Sequence, residues 1–207
     1  LGNGYNSTSE KAMLWIQYLD GDKSVLKIPA PATQAAGTGN GLSAPQVVDS
    51  NGDGKVDYVY AGDLLGSLWK FDLSSGTAAN WRIDTEDPND NSGNTPIPLF
   101  TAVDAQNKPQ PITAAPRAST HPYGGSYVII GTGKFFEYPD QSSTDMQSVY
   151  GLWARPGDKT PILMTDLQTR TRGRTGVAGT LAEALRPFVG GELPVELHAW
   201  DGSVAGT

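Results

Sequence analysis

Between two strand-like runs, Ala44-Pro45-Gln46-Val47-Val48 and Tyr58-Val59-Tyr60-Ala61, the chain carries Asp49-Ser50-Asn51-Gly52-Asp53-Gly54-Lys55-Val56-Asp57, a loop with an oxygen-bearing side chain at nearly every second position. A fold that holds it must bring two strands together at a tight, highly acidic bend. Ca²⁺ is a hard cation that takes about six to eight oxygen ligands at about 2.3–2.6 Å, and a turn rich in Asp and Asn can aim that many oxygens at one point. Asp49, Asn51, Asp53 and Asp57 match positions 1, 3, 5 and 9 of the EF-hand pattern, Gly54 takes the glycine position, and Lys55 offers its backbone carbonyl. Tyr60 stands where an EF-hand has its bidentate Glu, and the flanks read as strands, so this is an EF-hand-like loop in a β setting. The competing reading is a plain hydrophilic turn, since Asp, Asn and Gly tolerate left-handed backbone and bond their own main chain. Three carboxylates and an amide crowded into one bend favour a counter-ion. The all-oxygen, protein-supplied donor set favours Ca²⁺ over Mg²⁺.

The rest of the composition suits short strands. With 25 glycines and 15 prolines in 207 residues, the chain is punctuated too often for a helical protein. Twenty-two acidic residues against 15 basic give a net charge of -7, which argues against a nucleic-acid partner. There is no cysteine, so disulfides, thiol nucleophiles and cysteine-ligated metals are excluded. No apolar run reaches the roughly eighteen residues that span a bilayer as a helix. Leu1 opens the sequence without a signal-peptide pattern, and the expectation is a piece or processed product of a longer protein.

Met13–Leu19 and Ser24–Ile28, joined through Asp20-Gly21-Asp22, read as a hairpin, and residues 29–41 as a Pro/Ala/Thr/Gly linker. After the acidic loop come a Gly62–Gly66 turn and an alternating strand, Ser67–Leu73. Residues 84–95 read as an exposed polar loop. A second unit repeats this plan. Ala115-Pro116 leads to a Ser126–Ile130 strand, then Gly131-Thr132-Gly133 as a turn entering a second strand, Lys134–Tyr138. Repeated short-strand units separated by glycine turns suggest propeller blades of roughly 40–50 residues, with about four or five as the ceiling. An up-and-down sandwich is the plainer alternative.

Gly62-Asp63-Leu64-Leu65-Gly66-Ser67-Leu68-Trp69-Lys70-Phe71-Asp72-Leu73, followed by Gly76 and Trp81, resembles the tryptophan-docking repeat of quinoprotein-type propellers. Gly41–Pro45, the acidic loop, this repeat, Pro111–Pro116, Gly131–Lys134, Ser142–Asp145 and Tyr150-Gly151-Leu152-Trp153 taken together are more specific. They resemble the C-terminal propeller domain of the PilY family, the type IV pilus-associated adhesins. The resemblance covers roughly residues 10–172, so blades are expected over 1–172, with 173–207 unassigned. It implies an all-β, modified β-propeller, here a fragment of the ring, exposed outside the cell at its surface or at the pilus tip. It also implies pilus components such as minor pilins, and host or abiotic surfaces, as partners. Calcium at Asp49, Asn51, Asp53, the Lys55 carbonyl and Asp57 would then control pilus extension against retraction, attachment and twitching motility.

Other chemistry finds little support. His121 and His198 lie apart from each other and from any acidic or Ser partner at a suggestive spacing, and no catalytic residue is assigned. Gly131–Lys134 lacks the spacing and following helix of a phosphate loop. Asp63 is expected to bond its own turn, and Trp15, Trp69, Trp81 and Trp153 to pack between blades. Three classes remain: a calcium-dependent pilus and adhesion module that is not an enzyme, a quinoprotein-type enzyme on the same scaffold, and a calcium-stabilised structural module of a surface protein.

Overall fold

The computed structural model describes residues 1–31, 39–90, 95–171 and 180–184. The part of the linker over 32–38, and most of the segment 173–207 including His198, lie outside the described residues. Twelve strands and three short 3₁₀ turns make up the regular structure of the described residues, with no α-helix among them. No helix there is long and apolar enough to cross a membrane.

The strands form three sheets. β1 (Met13–Gln17) and β2 (Val25–Pro29) are the expected hairpin, with Met13 opposite Pro29 and Gln17 opposite Val25. The second sheet runs β3 (Gln46–Val48), β4 (Tyr58–Gly62), β5 (Ser67–Asp72) and β6 (Arg82–Ile83), and β7 (Phe100–Thr101) pairs with the start of β5. The third contains β8 (Arg117–Thr120), β9 (Ser126–Gly131), β10 (Val149–Ala154), β11 (Gln168–Thr171) and β12 (Thr180–Ala184) in the order β11-β12-β10-β9-β8, with β12 parallel to β10. No strand pairing joins the first sheet to the third among the described residues.

The second sheet is packed on both faces. Tyr60 and Leu68 point into a cluster with Val128, Ile130, Tyr150 and Leu152 of the third sheet. Val59, Ala61, Trp69 and Phe71 point the other way, against Leu14 and Ile28 of the hairpin. Successive strand residues alternate between faces, so two covered faces leave no solvent side. Hence the alternating strand read over Ser67–Leu73 is buried from Ser67 to Phe71. Trp69 and Phe71 are fully enclosed, each worth about 1.5–3 kcal/mol or more of burial relative to exposure.

Several expectations are corrected. Lys134–Tyr138 is not a strand: Tyr138–Ser142 is a 3₁₀ turn, and the partner of β9 is β10, 18 residues beyond Gly131 at its first residue. The reason is local. Asp140 accepts the backbone N–H groups of Phe136 and Glu137, and Lys134 bridges Glu137 and Asp140, which curls the segment and leaves Phe135 and Tyr138 exposed. The loop from 84 is not exposed at its start, because Asp84 is buried against Lys70, whose ammonium also lies 4.5 Å from the Tyr58 ring centroid. Among the tryptophans, Trp69 packs between sheets as expected, whereas Trp15 lies on an outer face with Lys27 over its ring.

Candidate functional site

β3 and β4 present the acidic loop at their common end, where Asp57 N–H donates to Val48 O at 2.9 Å and Leu73 N–H to Asp57 O at 2.7 Å. Those bonds anchor the exit of the loop to the sheet. Its entry is organised by Asp49, whose Oδ1 accepts Gly52 N–H at 2.7 Å and whose Oδ2 accepts Gly54 N–H at 2.8 Å. Both glycines have positive φ, 78° and 83°, a backbone that residues with a Cβ adopt at a cost. Asn51 Oδ1 accepts Asp53 N–H at 2.8 Å and Asp53 Oδ1 accepts Lys55 N–H at 2.9 Å, so the middle of the loop is two successive Asx turns. Asp57 is buried at the base, where its Oδ2 takes Ser50 N–H at 2.9 Å and Ser50 Oγ–H at 2.5 Å. Asn51 Nδ2 reaches its other oxygen at 3.5 Å.

The loop therefore curls through every residue assigned to the metal. Its donors suit a hard cation in kind and in order, being three carboxylates, an amide oxygen and a backbone carbonyl with Asp49 bonded to the two glycine N–H groups. Among the described residues, however, no three His, Asp or Glu side chains converge as a preformed metal cluster. The carboxylates are held by the loop's own N–H and O–H groups. Backbone N–H bonds from Gly54 and Gly52 hold the Asp49 carboxyl below its ordinary value, although it stands in solvent. The Lys55 side chain points out beside Asp53, with Nζ 3.7 Å from Oδ2, which leaves the carbonyl as its contribution to the site. Asn51, Asp53, Lys55 and Asp57 also line a groove of about 960 Å³ that runs to Trp15 and Val47.

A second acidic turn lies at the other end of β4. Asp63 has no exposed surface, and its carboxylate receives four donors. Leu65 N–H and Ser67 N–H reach Oδ1 at 3.0 and 2.9 Å, which is the expected turn. Asn40 Nδ2 and Trp69 Nε1 reach Oδ2 at 3.1 and 2.9 Å, which sequence reasoning missed. Burial pushes the Asp63 carboxyl up, against the pull of Trp69, Asn40 and the two backbone groups. Gly-Asp before a Trp hinted at the indole contact; nothing in the sequence pointed to Asn40, 23 residues upstream.

The comparisons with known proteins agree with this architecture. The family described as the PilY1 beta-propeller domain matches residues 1–183. The chain belongs to the PilY family. The type IV pilus biogenesis factor PilY1 of Pseudomonas aeruginosa is 38% identical over 167 residues, covering 73% of this chain and 14% of that protein. A PilY1 homolog of Xylella fastidiosa is 40% identical over 159 residues, covering 73% of this chain and 10% of that protein. The crystal structure of the Pseudomonas aeruginosa PilY1 C-terminal domain matches with a TM-score of 0.67 at 33% identity, covering 87% of this chain and 41% of that one. The chain thus spans a small fraction of the curated PilY relatives and less than half of the solved domain. Its three unclosed sheets are blades of a PilY β-propeller.

Proposed function

We propose that this chain is the calcium-binding part of a type IV pilus biogenesis factor, in which metal at the loop 49–57 regulates pilus extension against retraction and, through it, surface attachment and twitching. The observation that carries the reading is the curl of the loop, in which Asp49 gathers Gly52 and Gly54 while Asn51 and Asp53 head successive turns at the ligand spacing of a calcium loop. Asp49, Asn51, Asp53, the Lys55 carbonyl and Asp57 would hold the ion. Bound Ca²⁺ supplies positive charge that offsets the mutual repulsion of the carboxylates. The names of the relatives, type IV pilus biogenesis factors, support the pilus setting. The proposal adds the cell surface or pilus tip as location and pilus components, minor pilins among them, as partners.

A ligand shifts a two-state surface only by its differential affinity for the two states, so the loop must meet a partner differently when filled. The groove shared by Asn51, Asp53, Lys55 and Asp57 gives that change a surface on which to act. Cells carrying the full-length protein with Asp53→Ala, and others with Asp53→Lys, should differ in surface piliation or twitching while both proteins are stably made. Indistinguishable piliation across wild type and both variants would reduce the loop to a structural staple. That second reading draws on the same hydrogen bonds, which already close the turn.

A further inference from the structure

A cleft of about 490 Å³ opens between the end of the hairpin and the second sheet, and Trp81 separates it from the groove beside the acidic loop by lining both. Its volume falls within the roughly 300–1,000 Å³ of small-molecule sites, which pair an apolar lining with a few placed polar groups. The apolar wall is the Trp81 indole with Pro29 and Pro96. Trp81 is fixed, because its Nε1–H donates to Ser75 O at 2.8 Å. The polar groups are Arg82, Glu86 and Lys159. Glu86 and Lys159 are joined twice, through Nζ to Oε1 at 2.8 Å and through Glu86 N–H to Lys159 O at 2.9 Å. Arg82 is exposed and its guanidinium holds no ion pair among the described residues.

Two cations against one carboxylate make this cleft locally positive on a chain whose net charge is -7. An anionic ligand is favoured, and the fixed fork of a guanidinium suits a carboxylate or sulfate. The ligand must also offer an apolar face to an indole and hydroxyl groups to a Glu–Lys pair. Sugars join those properties, with C–H groups on the ring face and hydroxyls around its edge. A peptide strand fits less well, since β6 is only two residues long and gives little free edge on which a strand could pair. We propose that this cleft binds an acidic saccharide, with a sugar ring on Trp81, its acidic group on Arg82 and its hydroxyls shared between Glu86 and Lys159.

The test is calorimetric titration of the full chain, without added divalent cation, with digalacturonate, sialyllactose and a sulfated heparin disaccharide. Neutral digalacturonate methyl ester and tetraglutamate serve as controls. At least one acidic sugar should bind about tenfold more tightly than both controls, the scale of one charge-assisted hydrogen bond. Arg82→Gln, a change at an exposed position, should remove that preference, and Lys159→Gln should weaken it. The proposal is overturned if none of the three acidic sugars binds, if the neutral ester or the peptide binds equally well, or if Arg82→Gln leaves the preference intact.

Discussion

The two acidic turns at opposite ends of β4 use the same residues for different ends. In the loop 49–57, Asp49, Asn51 and Asp53 stand in solvent, and their side-chain oxygens accept N–H groups of the loop's own backbone. In the turn 62–67, Asp63 bonds its own backbone as well, and it also ties in Asn40 from the linker and the indole of a core tryptophan. A carboxylate that bonds its own loop in water can exchange those bonds for a cation at small cost. A carboxylate sealed under four donors cannot. The chemistry of an Asp-Gly turn is therefore decided by what lies beyond the turn.

The largest effect separating the two should be on stability. Asp63→Asn keeps an oxygen for Leu65 and Ser67 but turns an amide N–H toward Trp69 and Asn40, leaving buried donors facing a donor. Urea unfolding should show a loss of about 2–4 kcal/mol, the scale of two buried groups left without partners. Asp53→Ala, at a largely exposed position, should change the stability of the metal-free protein by only about 0.5 kcal/mol. Equal losses at the two sites would mean that the four donors around Asp63 add nothing beyond an exposed turn.

Titration gives a second contrast, with opposite signs. The folded-state pKa of Asp49 is lowered, so the stability it adds is present above its unfolded pKa and is lost as pH falls through the folded value. The folded-state pKa of Asp63 is raised, so its contribution is fully present below its unfolded pKa and is lost as pH rises through the folded value. Carboxyl-carbon NMR should place the Asp49 midpoint below the ordinary carboxyl value of 3.8 and the Asp63 midpoint above it. The reverse order would mean that the four donors to Asp63 outweigh its burial.

What the sequence made legible follows the same division. The tight acidic bend, the hairpin, the strands on either side of the loop and the Gly62–Gly66 turn were readable because each depends on neighbours a few residues apart. The Asn40–Asp63 bond, the burial of Asp84 by Lys70 and the covering of both faces of β5 were not, since each is made by a segment distant in sequence. The misreading of Lys134–Tyr138 as a strand has a related cause. Its apolar residues mimic a strand, but Asp140 and Lys134 curl the chain instead, and three of its aromatics stand in solvent, with Phe136 stacked on Tyr5 at 4.7 Å.

Smaller effects sharpen the picture of the loop. Lys55→Ala should leave calcium affinity within about twofold of wild type, because the assigned ligand is a carbonyl that the substitution keeps and the charge it removes is exposed. A tenfold weakening would contradict the assigned geometry. Adding chelator should leave the β-sheet circular dichroism unchanged at room temperature, since Trp69 and Phe71 are buried by sheet packing that involves none of the metal donors.

The most direct measurement is isothermal calorimetry of Ca²⁺ into the chelator-stripped chain, beside Asp53→Ala. One calcium should bind per chain with a dissociation constant in the micromolar-to-millimolar range of sensors and extracellular modules, and none should bind to the variant, which loses a central anionic ligand. Absence of calcium-dependent heat in the wild type, or unchanged affinity in Asp53→Ala, would contradict it.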